Sequence, residues 1–155
     1  MSPHHALGGA SELPWRRNKG AGLTSGGEAR EVDGNMVCRL TKEFFFEAAH
    51  TLPKVPADHK CARMHGHSYR IEIAVEGEVD PEMGWLYDHS LLSKAMDPIC
   101  DRLDHAYLND IPGLENPTVE NLAGWLWERL KPLCPGLCEI VIQETPTARC
   151  TYRGL

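Results

Sequence analysis

The fold class this sequence predicts is α+β: an antiparallel four-stranded sheet with two helices on one face. Three observations predict it. Residues 65–78 alternate, with Tyr69, Ile71, Ile73 and Val75 set against Arg70, Glu72, Ala74 and Glu76, the period of a half-buried strand. Two later segments carry apolar residues at helical spacing instead. The order is two strands, two helices, two strands, and segregated runs of this kind mark α+β domains.

The first strand spans residues 37–50 and places Phe44, Phe46, Ala48 and His50 on one face. Pro53, Pro56 and Asp58 make residues 51–64 a loop, and residues 78–84 form a turn region before the helices. The first helix starts near Ser90 and carries Leu91, Leu92, Ala95, Met96, Ile99 and Leu103, with Pro98 forcing a kink or a restart. The second follows Pro117 with Thr118 as N-cap, buries Val119, Leu122, Ala123, Leu126 and Leu130, and stops at Pro132. Strands three and four cover residues 138–145 and 149–153.

Residues 1–35 are rich in Gly, Ser and Ala and have no apolar period, so they read as a disordered extension to a single domain at 36–155. Met36 stands directly before the first strand and offers an internal start; His4 and His5 receive no role.

A chain of 155 residues fits one domain, and 42% hydrophobic with 25% charged residues is ordinary for a soluble protein. The net charge of −6 belongs to the body, because the four basic and four acidic side chains of residues 1–35 cancel. An acidic body argues against nucleic acid and membrane surfaces as partners. The N-terminus has no continuous apolar stretch of the secretory kind, and no run reaches the ~18 residues of a membrane span. The expected location is cytoplasmic, where the six cysteines, none in a CxxC pair, stay free thiols. Cys134 and Cys138 flank the Pro135-Gly136 turn without the four-ligand set of a second metal site.

The chemistry concentrates in Cys61-Ala-Arg-Met-His65-Gly-His67. Residues two apart on a strand share a face, so His65 and His67 can grip one ion together, and Gly66 leaves the opposite face uncrowded. His50, closing the first strand, supplies a third ligand. Three imidazoles with a fourth position open describe a catalytic zinc, Zn2+, better than a structural one, although iron, nickel or copper also accept such ligands. Cys61 lies where Lys60, Arg63 and a metal all favour the reactive thiolate. Its alternative role is a fourth ligand that closes the site.

Asp104-His105 ends the first helix, and an Asp beside a His can orient it and raise its basicity for proton transfer. Its alternative is an imidazole answering the helix dipole. Glu144 shares a strand face with Ile140 and Ile142, and a buried acid needs a partner: an Arg, or a ligand presenting two parallel N–H groups.

The set His50, Cys61-x-x-x-His65-Gly-His67, Leu103-Asp104-His105, Pro117-Thr118-x-Glu120-Asn121 and Glu144-Thr145 resembles the 6-pyruvoyltetrahydropterin synthase superfamily, over residues 36–155. The match is nearest its 6-carboxytetrahydropterin branch in queuosine biosynthesis. The resemblance implies the tunnelling fold, in which oligomerisation forms a barrel, and a homohexamer built as a dimer of trimers with active sites between subunits. It implies zinc on His50, His65 and His67, Cys61 as base, Asp104 and His105 completing a triad, and Glu144 and Thr118 on the pterin. The implied reaction turns 7,8-dihydroneopterin triphosphate into 6-carboxytetrahydropterin, acetaldehyde and triphosphate. Lys60 and Arg63, beside Cys61, are candidates for the triphosphate. Gly84-Trp85-Leu86-Tyr87-Asp88-His89 departs from the family pattern, with His89 in place of an aromatic residue. The alternatives are the 6-pyruvoyl reaction, which eliminates triphosphate without cleaving the side chain, and a non-catalytic zinc-stabilised binding module.

Overall fold

The computed structural model describes residues 30–32 and 35–154. In chain order the elements are β1 (Arg30–Val32), β2 (Asn35–His50), β3 (His65–Glu78), α1 (His89–Leu103), β4 (Ala106–Tyr107), α2 (Val119–Leu130), β5 (Leu137–Thr145) and β6 (Ala148–Tyr152). The sheet runs β1-β2-β3-β5-β6, each neighbour antiparallel, and β4 pairs with β2 in parallel. The expected four antiparallel strands are therefore corrected to a larger mixed sheet. β1 has three residues and β4 two, too short for alternation to register. β1 and Asn35, the first residue of β2, lie inside the segment expected to be an extension; residues 1–29, 33 and 34, the rest of that expectation, lie outside the described residues.

The period-two pattern lands where burial needs it. Phe44, Phe46 and Ala48 of β2 face Ile71, Tyr69 and His67 of β3, and Ile71 and Ile73 face Ile142 and Ile140 of β5. This one face joins Leu92, Met96 and Leu103 of α1 and Leu122, Ala123, Trp125, Leu126 and Leu130 of α2 in one apolar core. Leu91 of α1 is exposed, while Trp125, absent from the expected stripe, is buried. Pro98 does not divide α1: the helix is continuous from His89 to Leu103. Asp88 caps it by accepting from the Ser90 amide at 2.8 Å, which holds that carboxyl below its ordinary pKa. Ala74, expected outside, is buried at an irregularity in the β3–β5 register between Ala74 and Val75.

On the opposite face the buried Glu139 accepts from Arg39, and from Arg153 at 2.8 Å. Burial raises the carboxyl pKa, but the two guanidinium groups outweigh it and hold Glu139 below the ordinary 4.5. A depressed carboxylate stabilises the fold above its unfolded pKa and loses that contribution as pH falls through the lowered value. Glu139→Ala is expected to cost about 1–2 kcal/mol at pH 7, less than a fully buried pair because both arginines can return to water. Urea denaturation at pH 7 and again below pH 4.5 checks both the size and the narrowing of the difference.

Candidate active site

β2 and β3 end together in a register that opposes His50 to His65 and Ala48 to His67, so all three imidazoles rise from the core face. Their ring centroids lie 4.5, 5.1 and 5.0 Å apart, and one nitrogen of each falls within 4.8 Å of the others. The glycine between them fits a tight approach to the neighbouring strand. A Cβ on Gly66 would stand 3.1 Å from the Ala48 carbonyl oxygen.

Main-chain acceptors set the ring tautomers. His50 donates from Nδ1 to the Pro117 carbonyl at 3.0 Å, and His65 from Nδ1 to the Arg63 carbonyl at 2.8 Å. In the neutral rings both Nε2 atoms then carry lone pairs, yet they lie only 3.0 Å apart. His67 Nε2 is buried without a hydrogen-bond partner. Opposed lone pairs and an orphaned third nitrogen are unfavourable unless a cation sits among them. His50 is almost fully buried, and burial pushes its imidazole below the ordinary histidine pKa, with smaller contributions from His65 and His67. Only the Pro117 carbonyl favours the protonated ring. The neutral form is the one a metal binds. The residues present therefore fit a divalent ion, and among the described residues no other cluster of three or more metal-binding side chains occurs.

Cys61 is not part of that cluster. It is half-buried in a 3₁₀ turn, Lys60–Ala62. Its N–H donates to His59 Nδ1 at 3.1 Å and its carbonyl accepts from the Leu52 N–H at 2.8 Å, so the main chain is held and the thiol is left uncommitted. Lys60 and Arg63 are exposed and belong to no salt bridge among the described residues. The six cysteines are free, and Cys138 donates its thiol to the Ala74 carbonyl.

Asp104 and His105 form an ion-pair geometry, Oδ2 to Nδ1 at 2.8 Å. Asp104 Oδ1 accepts from the Glu47 N–H at 2.8 Å, and the Glu47 carbonyl accepts from the His105 N–H at 2.6 Å. These bonds hold Asp104 below the usual carboxylate range, the Glu47 amide first and His105 second. They also hold His105 at φ +54°, a left-handed conformation that costs a non-glycine residue about 1–3 kcal/mol in unfavourable settings. His105 lines an open cleft of about 370 Å³ with Glu47, Gly66, His67 and Ser68. Glu47 and Ser68, hydrogen-bonded at 2.9 Å, oppose each other on the sheet face away from the three imidazoles. Among the described residues no hydrogen bond joins Cys61 to Asp104 or His105.

Glu144 is half-buried at a register irregularity between Gln143 and Thr145. Its charge acts on Tyr69, whose buried phenol lies 3.4 Å from His50 Nδ1; burial first and Glu144 second raise the phenol pKa well above 10. Glu144 follows Gln143, which pairs with Arg70, the neighbour of Tyr69 in β3. Thr118 caps α2, its Oγ1 accepting from the Asn121 N–H at 3.2 Å.

The family description for 6-pyruvoyl tetrahydropterin synthase matches residues 39–155. This chain belongs to that family. It is 42% identical to a 6-carboxy-5,6,7,8-tetrahydropterin synthase from Synechocystis over 119 residues, 73% of this chain and 91% of the relative. It is 37% identical to a dihydroneopterin monophosphate aldolase from Pyrococcus furiosus over 101 residues, 65% of this chain and 82% of the relative. Among solved structures, the Caenorhabditis elegans 6-pyruvoyl tetrahydropterin synthase superposes with a TM-score of 0.71 at 32% identity, covering 77% of this chain and 96% of that one.

In this member of the 6-pyruvoyl tetrahydropterin synthase family, sequence reasoning missed the groups that orient the imidazoles. Two are main-chain carbonyls, Pro117 and Arg63, which no side-chain pattern reveals. A third is Tyr69, whose stacking on Phe46 at 4.6 Å marks it as core and hides its place beside His50. Asn109, four residues beyond His105, hydrogen-bonds no imidazole among the described residues; its side-chain amide bonds the Thr51 main chain. No helix among the described residues is long and apolar enough to cross a membrane.

Proposed function

We propose that this chain is a zinc-dependent lyase that converts 7,8-dihydroneopterin triphosphate to 6-carboxy-5,6,7,8-tetrahydropterin, acetaldehyde and triphosphate, a step of queuosine biosynthesis. The observation that carries the reading is the 42% identity to a 6-carboxytetrahydropterin synthase across 91% of that relative. His50, His65 and His67 would hold the zinc, which would supply Lewis-acid polarisation of the substrate side chain. Cys61 Sγ, as thiolate, takes the proton from the pterin side chain. His105, its Nδ1 held by Asp104, returns a proton elsewhere along that chain. Glu144 accepts the paired N–H groups of the pterin ring, and Thr118, already the α2 cap, borders it.

Asp104 and His105 attach to the edge of β2, and His105 lines an open cleft together with His67. The lack of any hydrogen bond between Cys61 and Asp104 or His105 among the described residues supports a site completed between subunits, in a homohexamer that closes the sheet into a tunnel. Lys60 and Arg63, exposed beside Cys61, meet the triphosphate. Arg63→Ala is expected to raise KM about tenfold with kcat little changed, the sign of binding shared by ground and transition states. An unchanged KM removes Arg63 from the substrate. The same variant leaves the Arg63 carbonyl, and hence His65, in place.

A second reading is favoured by the 37% identity to the monophosphate aldolase. Incubation with dihydroneopterin triphosphate and, separately, the monophosphate decides between them. Acetaldehyde with a carboxypterin from the triphosphate supports the first reading. Turnover of the monophosphate alone supports the aldolase, a pyruvoyl product the 6-pyruvoyl reaction, and no turnover of either a non-catalytic zinc-stabilised module.

A further inference from the structure

Asn109 occupies the 3₁₀ turn Leu108–Asp110 that follows β4, anchored by the fully buried Leu108. Its side-chain amide closes on the main chain of Thr51 from both sides: Oδ1 accepts from the Thr51 N–H at 2.9 Å, and Nδ2 donates to the Thr51 carbonyl at 2.9 Å. Nδ2 also donates to the Glu115 carbonyl at 3.3 Å. The Thr51 hydroxyl lies 2.7 Å from the Tyr107 hydroxyl, a second tie to the same turn.

Thr51 stands between two residues of the site. His50 precedes it and brings a metal-facing imidazole; Leu52 follows it and donates its N–H to the Cys61 carbonyl. Glu115 lies two residues before Pro117, whose carbonyl orients His50 Nδ1. One amide therefore grips the strand end that carries His50, the neighbour that fixes the Cys61 main chain, and the loop that sets the His50 tautomer. β2 ends at His50, so beyond it no sheet ladder holds residues 51 and 52. An amide can satisfy the donor and acceptor of one residue together; a carboxylate or a hydrocarbon cannot.

We infer that Asn109 is a positioning residue: it holds residues 50–52 so that the His50 imidazole keeps the geometry needed to bind the metal, with the Cys61 turn held beside it. The inference rests on the metal-centre reading above. It assigns Asn109 no contact with substrate or with the ion.

The test uses cobalt(II) as the probe metal, titrated into the metal-free full chain and read by its visible absorption bands and by chelator competition. Asn109→Ala is expected to weaken cobalt binding by about tenfold or more, as loss of an outer partner does, and to change the band shape. Asn109→Asp keeps one acceptor and loses both donated bonds, so its affinity falls as well; it decides the matter should the Ala variant not fold. Far-UV circular dichroism and the Tm of the metal-free chain are read beside these. A purely structural role lowers Tm and leaves the affinity and spectrum of the folded chain unchanged, and that result overturns the inference. An unsubstituted chain that takes up no cobalt overturns the metal reading itself, and the inference with it.

Discussion

Cys61→Ala is expected to lower turnover of dihydroneopterin triphosphate by about 10²–10⁴-fold, the range a positioned proton-transfer group supplies, while the chain keeps its zinc. The main-chain bonds of Cys61, from its N–H to His59 Nδ1 and from the Leu52 N–H to its carbonyl, do not involve the thiol. Removing Sγ therefore leaves the turn in place. The thiol is also outside the three-imidazole donor set, so its loss takes no ligand from the ion. Steady-state kcat and zinc per chain by elemental analysis are the two readouts. Zinc lost together with activity is the signature of a closed Cys-His₃ site and rejects the base assignment. Cys61→Ser, whose hydroxyl is a far weaker acid than a thiol, is expected to rescue little of the rate.

His67→Ala is expected to lower metal affinity by more than about 10²-fold, beyond the loss typical of an outer partner, and turnover with it. The metal-free fold is expected to tolerate the change. His67 is half-buried and its Nε2 has no partner, so removal relieves an unsatisfied polar atom while sacrificing modest packing. The discriminating measurement is the rise in Tm on adding zinc. A ligand that binds only the folded state stabilises it by RT ln(1 + L/Kd), where L is its free concentration, so Tm rises with the logarithm of the ratio of that concentration to the dissociation constant. That rise is expected in the unsubstituted chain and should vanish in the variant. An equal rise in both excludes His67 as a ligand.

Much of this site was legible without coordinates because its three imidazoles sit on strands. Period two is a local property, and it put His65 and His67 on one face, together with Phe44, Phe46, Ala48 and His50 on another strand, before any pairing was known. The three-His cluster then needed only one register, His50 against His65. Helix α2 was similarly legible from Thr118 and its apolar stripe. Elements too short to show a period were not: β1 and β4 escaped, and β4 is what ties Asp104-His105 to the edge of β2. Of the kink or restart expected at Pro98, the restart does not occur, since α1 continues through it. Trp125 was under-read because its position off the strict stripe meets the 112–113 loop, where Nε1 donates to the Pro112 carbonyl.

By itself the sequence determined which residue types are available for chemistry, the strand faces that display them, and the family motif they spell. The tertiary structure decided everything that depends on main-chain groups distant in sequence. Pro117 and Arg63 carbonyls choose the imidazole tautomers, Glu47 clamps Asp104 and His105, and Asn109 grips Thr51. The reason is physical: every residue carries the same carbonyl and N–H, so their identity says nothing about whom they meet, and only the folded path brings them within hydrogen-bonding distance.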